Sequence, residues 1–492
     1  MKKYSNIFIN IFYVPLIFIS LLGILENLLT QISNMSKWSA IFLNFLIFGI
    51  VFLYILKNIK VPILNGKIFN YLKTYNKMLI IIGLTCVVLW QLYLVLALSG
   101  FNIWDPGIII YKAMKKPIWV KDYFSYNPNT LFLMFYEHWV WIAFNKPSIQ
   151  HLTIILNLIN LSIFDFSLVV LYKMLKEKIS KIVLGFSVLL MGITPWYCIP
   201  YSDILAFALS VFTLYLLLSL HNKKSISRLI EIGSIFTIDY LVKPSLVIVF
   251  IAYFIVRAFF GGIKLNRSNV VRSLIIIITI FLELSLFNVY KFNNSIVEID
   301  KNKALPMMHF ADMGIQGKGG YYLPDVLHDY AIKDPDQRKK EDIMIWKERF
   351  EKMGILNYES FLIRKQVINT VDASFNWDKN DIFLKPYRKK NNFTKVAWQL
   401  FLKDSAKSGF CSPLMLFEEI VWASLFFFML FNITDNSYFS QLLKYTVVGF
   451  FIFLLLFEGG TSRYIIQFLP YLLILGAKGL VKFFTQYKID LG

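Results

Sequence analysis

Residues 78–99 read MLIIIGLTCVVLWQLYLVLALS and contain no charged side chain. An α-helix rises about 1.5 Å per residue, so this stretch is long enough to cross the roughly 30 Å hydrocarbon core of a bilayer. Similar apolar stretches recur along the 492-residue chain, which is 57% hydrophobic and only 17% charged. A soluble domain has about 25% charged residues, and the strands of a membrane β-barrel alternate instead of running unbroken. The sequence therefore predicts an all-α polytopic membrane protein.

The apolar stretches predict about 12 transmembrane helices with both termini in the cytoplasm. The predicted spans are residues 7–30, 38–56, 78–99, 151–172, 182–198, 203–220, 228–243, 245–260, 271–290, 414–432, 439–457 and 463–481. The apolar stretch 128–145 is placed in the membrane interface, because every basic short loop then faces the cytoplasm, as the positive-inside rule requires. These loops explain the net charge of +20, so no nucleic-acid partner is predicted.

The predicted spans divide the chain into four parts. Residues 1–77 hold two N-terminal helices and a cytoplasmic loop, and residues 78–290 form a transmembrane core whose first outer loop is 100–150. Residues 291–413 are polar and long enough for an extracytoplasmic domain of α-rich or mixed structure. Residues 414–492 hold the C-terminal transmembrane helices.

Two aspartates lie at span ends on the predicted outer face. Asp105 lies in the sequence FNIWDPG of residues 101–107, directly after an apolar span. A carboxylate at this depth suits a general base that deprotonates an acceptor hydroxyl. The alternative is a helix cap, because Pro106 follows and proline favours the first helical position. Asp203 is either a second carboxylate of the same site or a cap together with Ser202.

Two cations lie on the same predicted face. Lys243 precedes Pro244 at a hairpin tip, where it suits a phosphate ligand; the alternative is an ion pair with Asp239, four residues earlier on the same helix. Arg463 lies in the sequence EGGTSRY, next to Tyr464. Its guanidinium suits a bidentate contact with a phosphate, and the alternative is a side chain that extends to the membrane interface.

The first outer loop also contains a group of aromatic and amide side chains. Tyr126, Asn127 and Asn129 lie in the sequence YFSYNPN of residues 123–129 and suit a sugar pocket through stacking and hydrogen bonding. An aromatic belt followed by a turn explains the same residues without a ligand.

Three other features are interpreted without a ligand. Glu137 and His138 are predicted to face the membrane interface, with a titratable pair near the site as the alternative. The glycine-rich residues 313–320 are predicted to form a flexible loop and not a P-loop, since no Gly-Lys-Ser/Thr closes them. The three cysteines show no metal-ligand spacing. No cofactor is predicted, and a divalent cation held by aspartates stays open.

Six short motifs share the predicted outer face. They are, in chain order, WDPG at 104–107, YNPN at 126–129, PYSD at 200–203, LVKP at 241–244, HFADMG at 309–314 and SRY at 462–464. In order and placement they resemble the GT-C superfamily of integral membrane glycosyltransferases. More closely, they resemble a family of GT-C-like multi-pass proteins from low-GC Gram-positive bacteria. The resemblance covers residues 78–481 and implies a GT-C-like helical bundle with amphipathic outer-face helices.

The resemblance implies inverting transfer of a sugar from a polyprenyl-phosphate monosaccharide to a cell-envelope glycopolymer, glycolipid or protein, at the outer face of the plasma membrane. Asp105 would be the catalytic base and Asp203 a secondary acid. Lys243 and Arg463 would hold the lipid phosphate, and residues 291–413 would cover the site. Unlike better-known members, the chain lacks a paired Asp-Glu in the first loop, begins with two additional helices and places its large polar segment before the last three spans.

Other functional classes make different demands on the sequence. A lipid-linked oligosaccharide polymerase would use the same face, whereas a flippase would need charges along a central cavity. A non-enzymatic scaffold would tolerate replacement of Asp105. A membrane O-acyltransferase would need a histidine inside the bundle, but His151 and His221 lie near span ends, and His309 and His328 lie in the outer segment.

Overall fold

The computed structural model describes residues 2–34, 37, 39–41, 43–45, 62–220, 225–261, 266–377, 384–402 and 411–486. All regular secondary structure in these residues is helical. They include one isolated β-bridge, between Gly100 and Pro386, and no strand. In chain order the helices are α1 (Lys2–Ser33), α2 (Pro62–Leu98), α3 (Asp105–Ala113), α4 (Tyr123–Tyr126), α5 (Leu131–Ala143), α6 (Ile149–Met174), α7 (Glu177–Ser187), α8 (Ser202–Leu220), α9 (Ile226–Val242), α10 (Ile248–Gly261), α11 (Arg267–Asn293), α12 (Met307–Gly314), α13 (Leu323–Ala331), α14 (Pro335–Thr370), α15 (Lys395–Phe401), α16 (Cys411–Met429), α17 (Tyr438–Leu456) and α18 (Leu469–Gln486). Turns of 3-10 helix cover Pro128–Thr130, Pro195–Cys198, Pro244–Val247, Lys301–Lys303, Leu430–Asn432 and Ser462–Phe468, and a π-helical turn covers Val188–Gly192.

Nine helical segments within the described ranges are long and apolar enough to cross a bilayer. They are Lys2–Ser33, Ile80–Leu98, Ile149–Met174, Ser202–Leu220, Pro244–Gly261, Arg267–Asn293, Pro413–Asn432, Tyr438–Leu456 and Ser462–Gln486. They coincide with nine of the predicted spans, which confirms a multi-pass helical membrane protein.

The count of 12 spans is not confirmed. The predicted span 38–56 lies mostly outside the described residues. The predicted span 182–198 is interrupted, because α7 ends at Ser187 and Pro195 lacks the backbone N–H that a continuing helix needs. Helix α9 has 17 residues, which is about 26 Å and shorter than the bilayer core. Helix α5, inside the stretch predicted to be interfacial, has only 13 residues.

The first and last helices form one packing unit. Helix α1 packs against α16 and α17, and the hydroxyl of Tyr13 donates to the carbonyl of Met429 over 2.9 Å. Helices α16 and α18 pack closely, because α18 presents glycines to α16. A Cβ added at Gly479 of α18 would overlap the carbonyl oxygen of Phe428 of α16. Small residues of this kind let helix backbones approach in a membrane, where apolar side chains gain little by leaving lipid.

The polar segment between α11 and α16 lies against the bundle. Gly354, with a φ of 71°, breaks α14, and the half after the break packs on α1. The amide of Gln366 donates to the hydroxyl of Ser20 over 2.9 Å, and Asn27 donates to the carbonyl of Val371 over 3.0 Å. These contacts hold the polar segment at one end of the transmembrane helices.

Candidate functional site

Helix ends far apart in the sequence meet at one end of the bundle. Asp105 begins α3, Asp203 lies in the first turn of α8, Lys243 follows α9, and Arg463 lies in the 3-10 turn before α18. Two direct contacts, from Tyr201 to Asp105 and from Lys243 to Asp203, join these ends. The fold therefore brings together all four charged residues that the sequence predicts for a site. We call this end of the bundle the site end.

The Asp105 carboxylate accepts one hydrogen bond on each oxygen. The hydroxyl of Tyr123 donates to Oδ1 over 2.7 Å, and the hydroxyl of Tyr201 donates to Oδ2 over 3.1 Å. Burial, and after it the charge of Asp105, raises the pKa of both tyrosines, so both remain hydroxyl donors. The helix-cap interpretation is wrong: Trp104 and not Asp105 occupies the N-cap position of α3, and Pro106 lies in the first helical turn.

Asp203 and Lys243 form a close ion pair. Nζ of Lys243 lies 2.5 Å from Oδ1 of Asp203, whose side chain is 3% exposed. The predicted Asp239–Lys243 pair is wrong, because α9 ends at Val242 and Lys243 adopts an extended conformation. Asp239 instead accepts a hydrogen bond of 2.7 Å from the hydroxyl of Thr213.

Arg463 is buried among aromatic rings. Its guanidinium carbon lies 5.0, 5.4 and 5.3 Å from the ring centroids of Trp104, Tyr201 and Tyr464, respectively. The side chain is therefore held by cation–π contacts, and the interpretation that it extends to the membrane interface is wrong. Asp203 and Asp105 both lie close enough to act on it electrostatically.

Glu458 adds a third carboxylate to the site end. The hydroxyl of Tyr464 donates to its Oε1 over 2.7 Å. Burial raises the pKa of Glu458, while the Tyr464 hydroxyl and the charge of Arg463 oppose the rise. Glu458 is the first residue of the sequence EGGTSRY, in which only Arg463 and Tyr464 were predicted to be site residues.

The predicted sugar-binding residues lie under the polar segment. Tyr126 stacks on Tyr330, with ring centroids 3.8 Å apart and an interplanar angle of 21°, and donates to its carbonyl over 3.2 Å. The amide of Asn127 lies 3.5 Å from the Tyr330 hydroxyl. Asn129 is exposed on the 3-10 turn, and no hydrogen bond joins it to the described residues of the site. Tyr330 lies 204 residues from Tyr126, and no sequence signal singled it out.

Two other interpretations change. Glu137 and His138 are buried in the protein and do not face the interface; Nδ1 of His138 lies 2.5 Å from the carbonyl oxygen of Ala113. The glycine-rich residues 313–320 are packed rather than free, because the carbonyl of Gly319 accepts from the backbone N–H of Gly459 over 2.7 Å. This contact places the glycine-rich loop beside Glu458.

A groove of about 550 Å³ opens between the end of α11 and the part of the first loop that holds Ser125 and Pro128. Asn288, Lys291 and Lys301 are among its lining residues, and Asp105 is not. The groove therefore does not open over the charged cluster.

These features define a class: a helical, polytopic membrane protein with a buried charged cluster where helix ends and a polar segment meet. The chain belongs to a family described as conserved hypothetical integral membrane proteins, whose model matches residues 1–481. No curated protein and no solved structure matches the chain. The family match supports multi-pass membrane insertion and does not extend to a GT-C assignment.

Proposed function

We propose that the chain is a membrane glycosyltransferase. It moves a sugar from a polyprenyl-phosphate monosaccharide to a cell-envelope acceptor at the outer face of the plasma membrane, with Asp105 as general base. One observation carries this proposal: a partly exposed carboxylate, held by two tyrosine hydroxyls, shares a cluster with Lys243 and Arg463 at the ends of membrane helices.

The reaction needs a base and a way to stabilise a leaving phosphate. Asp105 removes the proton of the acceptor hydroxyl while that oxygen bonds to the anomeric carbon. The bond from the anomeric carbon to the phosphate oxygen breaks, and its electron pair leaves with the polyprenyl phosphate. Tyr123 and Tyr201 hold the carboxylate in place, so an incoming hydroxyl meets a fixed acceptor.

Arg463 is the best placed cation for the leaving phosphate. Its cation–π contacts with three rings restrain the guanidinium, which can then donate to phosphate oxygens in a fork. Lys243 already binds Asp203, so Asp203 serves to position Lys243 and not to contact the acceptor. Lys243 then adds positive charge beside the phosphate.

The polar segment covers the donor sugar in this proposal. Tyr126 and Asn127 contact Tyr330 of α13, so the first loop and the polar segment would together enclose the sugar. Tyr464, which bonds Glu458, closes the side next to Arg463. The acceptor is selected by the polar segment, and a bound lipid donor reaches the cluster from the bilayer.

The experiment compares cells that carry the wild type, Asp105→Asn or Asp122→Asn at matched membrane expression. Asp122 lies in the same loop and pairs with Lys303 over 2.7 Å, outside the cluster, which makes it a matched control. We expect Asp105→Asn alone to lose a defined envelope sugar and to accumulate the polyprenyl-phosphate monosaccharide. An unchanged envelope would overturn the role of Asp105, and accumulation of a lipid-linked oligosaccharide would favour a polymerase or flippase instead.

A further inference from the structure

Three helices of the polar segment bring a buried histidine and buried acids together. His309 lies on α12, Asp329 on α13 and Asp342 on α14, and each is at most 1% exposed. One potential ligand atom from each lies within 4.8 Å of the others. Asp312, one turn after His309 on α12, is also fully buried.

These side chains lack the hydrogen bonds that buried polar atoms normally make. Both carboxylate oxygens of Asp312 and of Asp342 have no hydrogen-bond partner in the described part of the chain. Nδ1 of His309 lies 2.8 Å from Oδ2 of Asp329, yet neither atom makes a hydrogen bond of good geometry. Buried charges are normally paired or bound to a metal, so this arrangement calls for a positive partner.

The neighbouring arginines do not bond to these carboxylates. Arg349 donates to both carboxylate oxygens of Asp325, over 2.8 and 2.7 Å, and to the backbone carbonyl of Asp312. Arg338 donates to four backbone carbonyls, those of Asp329, Asn302, Ala304 and Ile332. The buried carboxyl groups of Asp312 and Asp342 therefore have no arginine hydrogen-bonded to them.

We propose that His309, Asp329 and Asp342 bind a divalent cation of the Mn²⁺ or Zn²⁺ type, with Asp312 beside it. Ligands bound at about 2.1 Å lie roughly 3–4 Å from one another, so the side chains need only small movements to reach one ion. Carboxylates alone would suit Mg²⁺ or Ca²⁺, but an imidazole ligand favours transition metals.

The cation would tie the three helices together next to the site end. Helix α12 ends at Gly314, which packs directly on the backbone of Phe457, the residue before Glu458. His309 is also close enough to act electrostatically on Glu458. The cation would thus fix the polar segment against the loop that carries Glu458.

Protonation is the competing way to relieve the charge. Without a cation, burial and neighbouring carboxylates raise the pKa of Asp312 and of Asp342 to about 8. If the acids are simply protonated, the protein retains no metal after dialysis. If they bind a cation, the protein retains it, and a measurement of bound metal distinguishes the two.

The experiment uses the purified full chain, treated with chelator and then dialysed against Mn²⁺, Zn²⁺ or Mg²⁺. We expect about one equivalent of Mn²⁺ or Zn²⁺ per chain by elemental analysis, and an unfolding temperature several degrees above that of the metal-free protein. Mg²⁺ should give little of either. Wild-type protein that retains no metal and shows no thermal shift would overturn the proposal without any variant.

Two variants sharpen the test. Asp342→Asn should bind the metal at least about tenfold more weakly, because it loses an anionic ligand. In metal-free buffer the same variant should unfold at the wild-type temperature or above, because a neutral amide replaces a buried acid that must otherwise be charged or take up a proton. Glu351→Gln, an exposed acid on the same helix, is the control and should bind metal normally. Equal metal binding by Asp342→Asn and the wild type would overturn the assignment of the ligands.

Discussion

Replacement of Lys365 tests how the polar segment is attached to the bundle. Lys365 is 1% exposed, and its ammonium donates to the carbonyls of Gly314, Leu455 and Phe457 over 2.6, 3.1 and 2.6 Å. Leu455 and Phe457 lie where α17 ends, so the lysine satisfies carbonyls that the helix itself leaves free. One side chain therefore joins α14 to both α12 and the end of α17.

Lys365→Met keeps the length of the side chain and removes the donors. Each buried carbonyl left without a donor costs roughly 1–3 kcal/mol of stability, and the variant leaves three. Removal of the buried ammonium is favourable and offsets part of this cost. We expect a net loss of about 2 kcal/mol at neutral pH. Lys352→Met, an exposed lysine on the same helix, should change the free energy of unfolding by less than about 0.5 kcal/mol.

The effect should depend on pH with a definite sign. Burial lowers the pKa of Lys365 from 10.5 to about 7. Between these values the unfolded chain binds one more proton than the folded chain at this position, so wild-type stability relative to Lys365→Met rises with pH. The limiting slope is about 1.4 kcal/mol per pH unit, and below the folded pKa there is none.

The assay is unfolding of the detergent-solubilised full chain, followed by tryptophan fluorescence from pH 6 to pH 10, a range of about four units. The stability difference should be flat at the acid end and grow towards the alkaline end. A variant as stable as the wild type, or a difference that shrinks as the pH rises, would refute this account of Lys365.

Two further predictions concern the site and the bundle. Tyr201→Phe removes the hydroxyl that donates to Asp105 and keeps the aromatic ring beside Arg463. A hydrogen bond to a charged group contributes about 1.5–3 kcal/mol, so the rate of sugar transfer should fall at least roughly tenfold. Circular dichroism should show an unchanged fold. Gly479→Ala places a methyl group against a backbone oxygen of α16 and should lower the free energy of unfolding by about 1–3 kcal/mol, as measured by thermal unfolding. The control is Gly185→Ala, which has open space around the new Cβ and should leave the stability unchanged or raise it.

The sequence predicted the membrane class well, because long uncharged stretches carry that information locally. It wrongly predicted a continuous helix over 182–198, because it did not anticipate that a π-helical turn and Pro195 interrupt this stretch. The stretch 128–145, predicted to lie in the interface, forms a helix of only 13 residues, which is too short to cross the bilayer core.

The members of the site could be predicted better than their partners. Asp105, Asp203, Lys243 and Arg463 follow or precede apolar stretches, so they were expected at helix ends. Which of them pair was not predictable, because the end of α9 turns Lys243 away from the residue one turn earlier and towards Asp203.

Contacts made by the polar segment were the least accessible to sequence analysis. The stack of Tyr126 on Tyr330 joins residues 204 positions apart, and no periodic pattern specifies such a pair. The cluster of His309, Asp329 and Asp342 is spread over three helices with no metal-ligand spacing in the sequence. Both depend on how short amphipathic helices pack, which is decided by the tertiary fold.

The most direct test of the central claim is transfer by the purified protein. The full chain, reconstituted in lipid with a labelled polyprenyl-phosphate sugar and an envelope acceptor, is compared with Asp105→Asn and Asp122→Asn. Removal of a general base predicts a fall of at least about 100-fold for Asp105→Asn, with Asp122→Asn at the wild-type rate. A wild-type rate for Asp105→Asn would contradict the account.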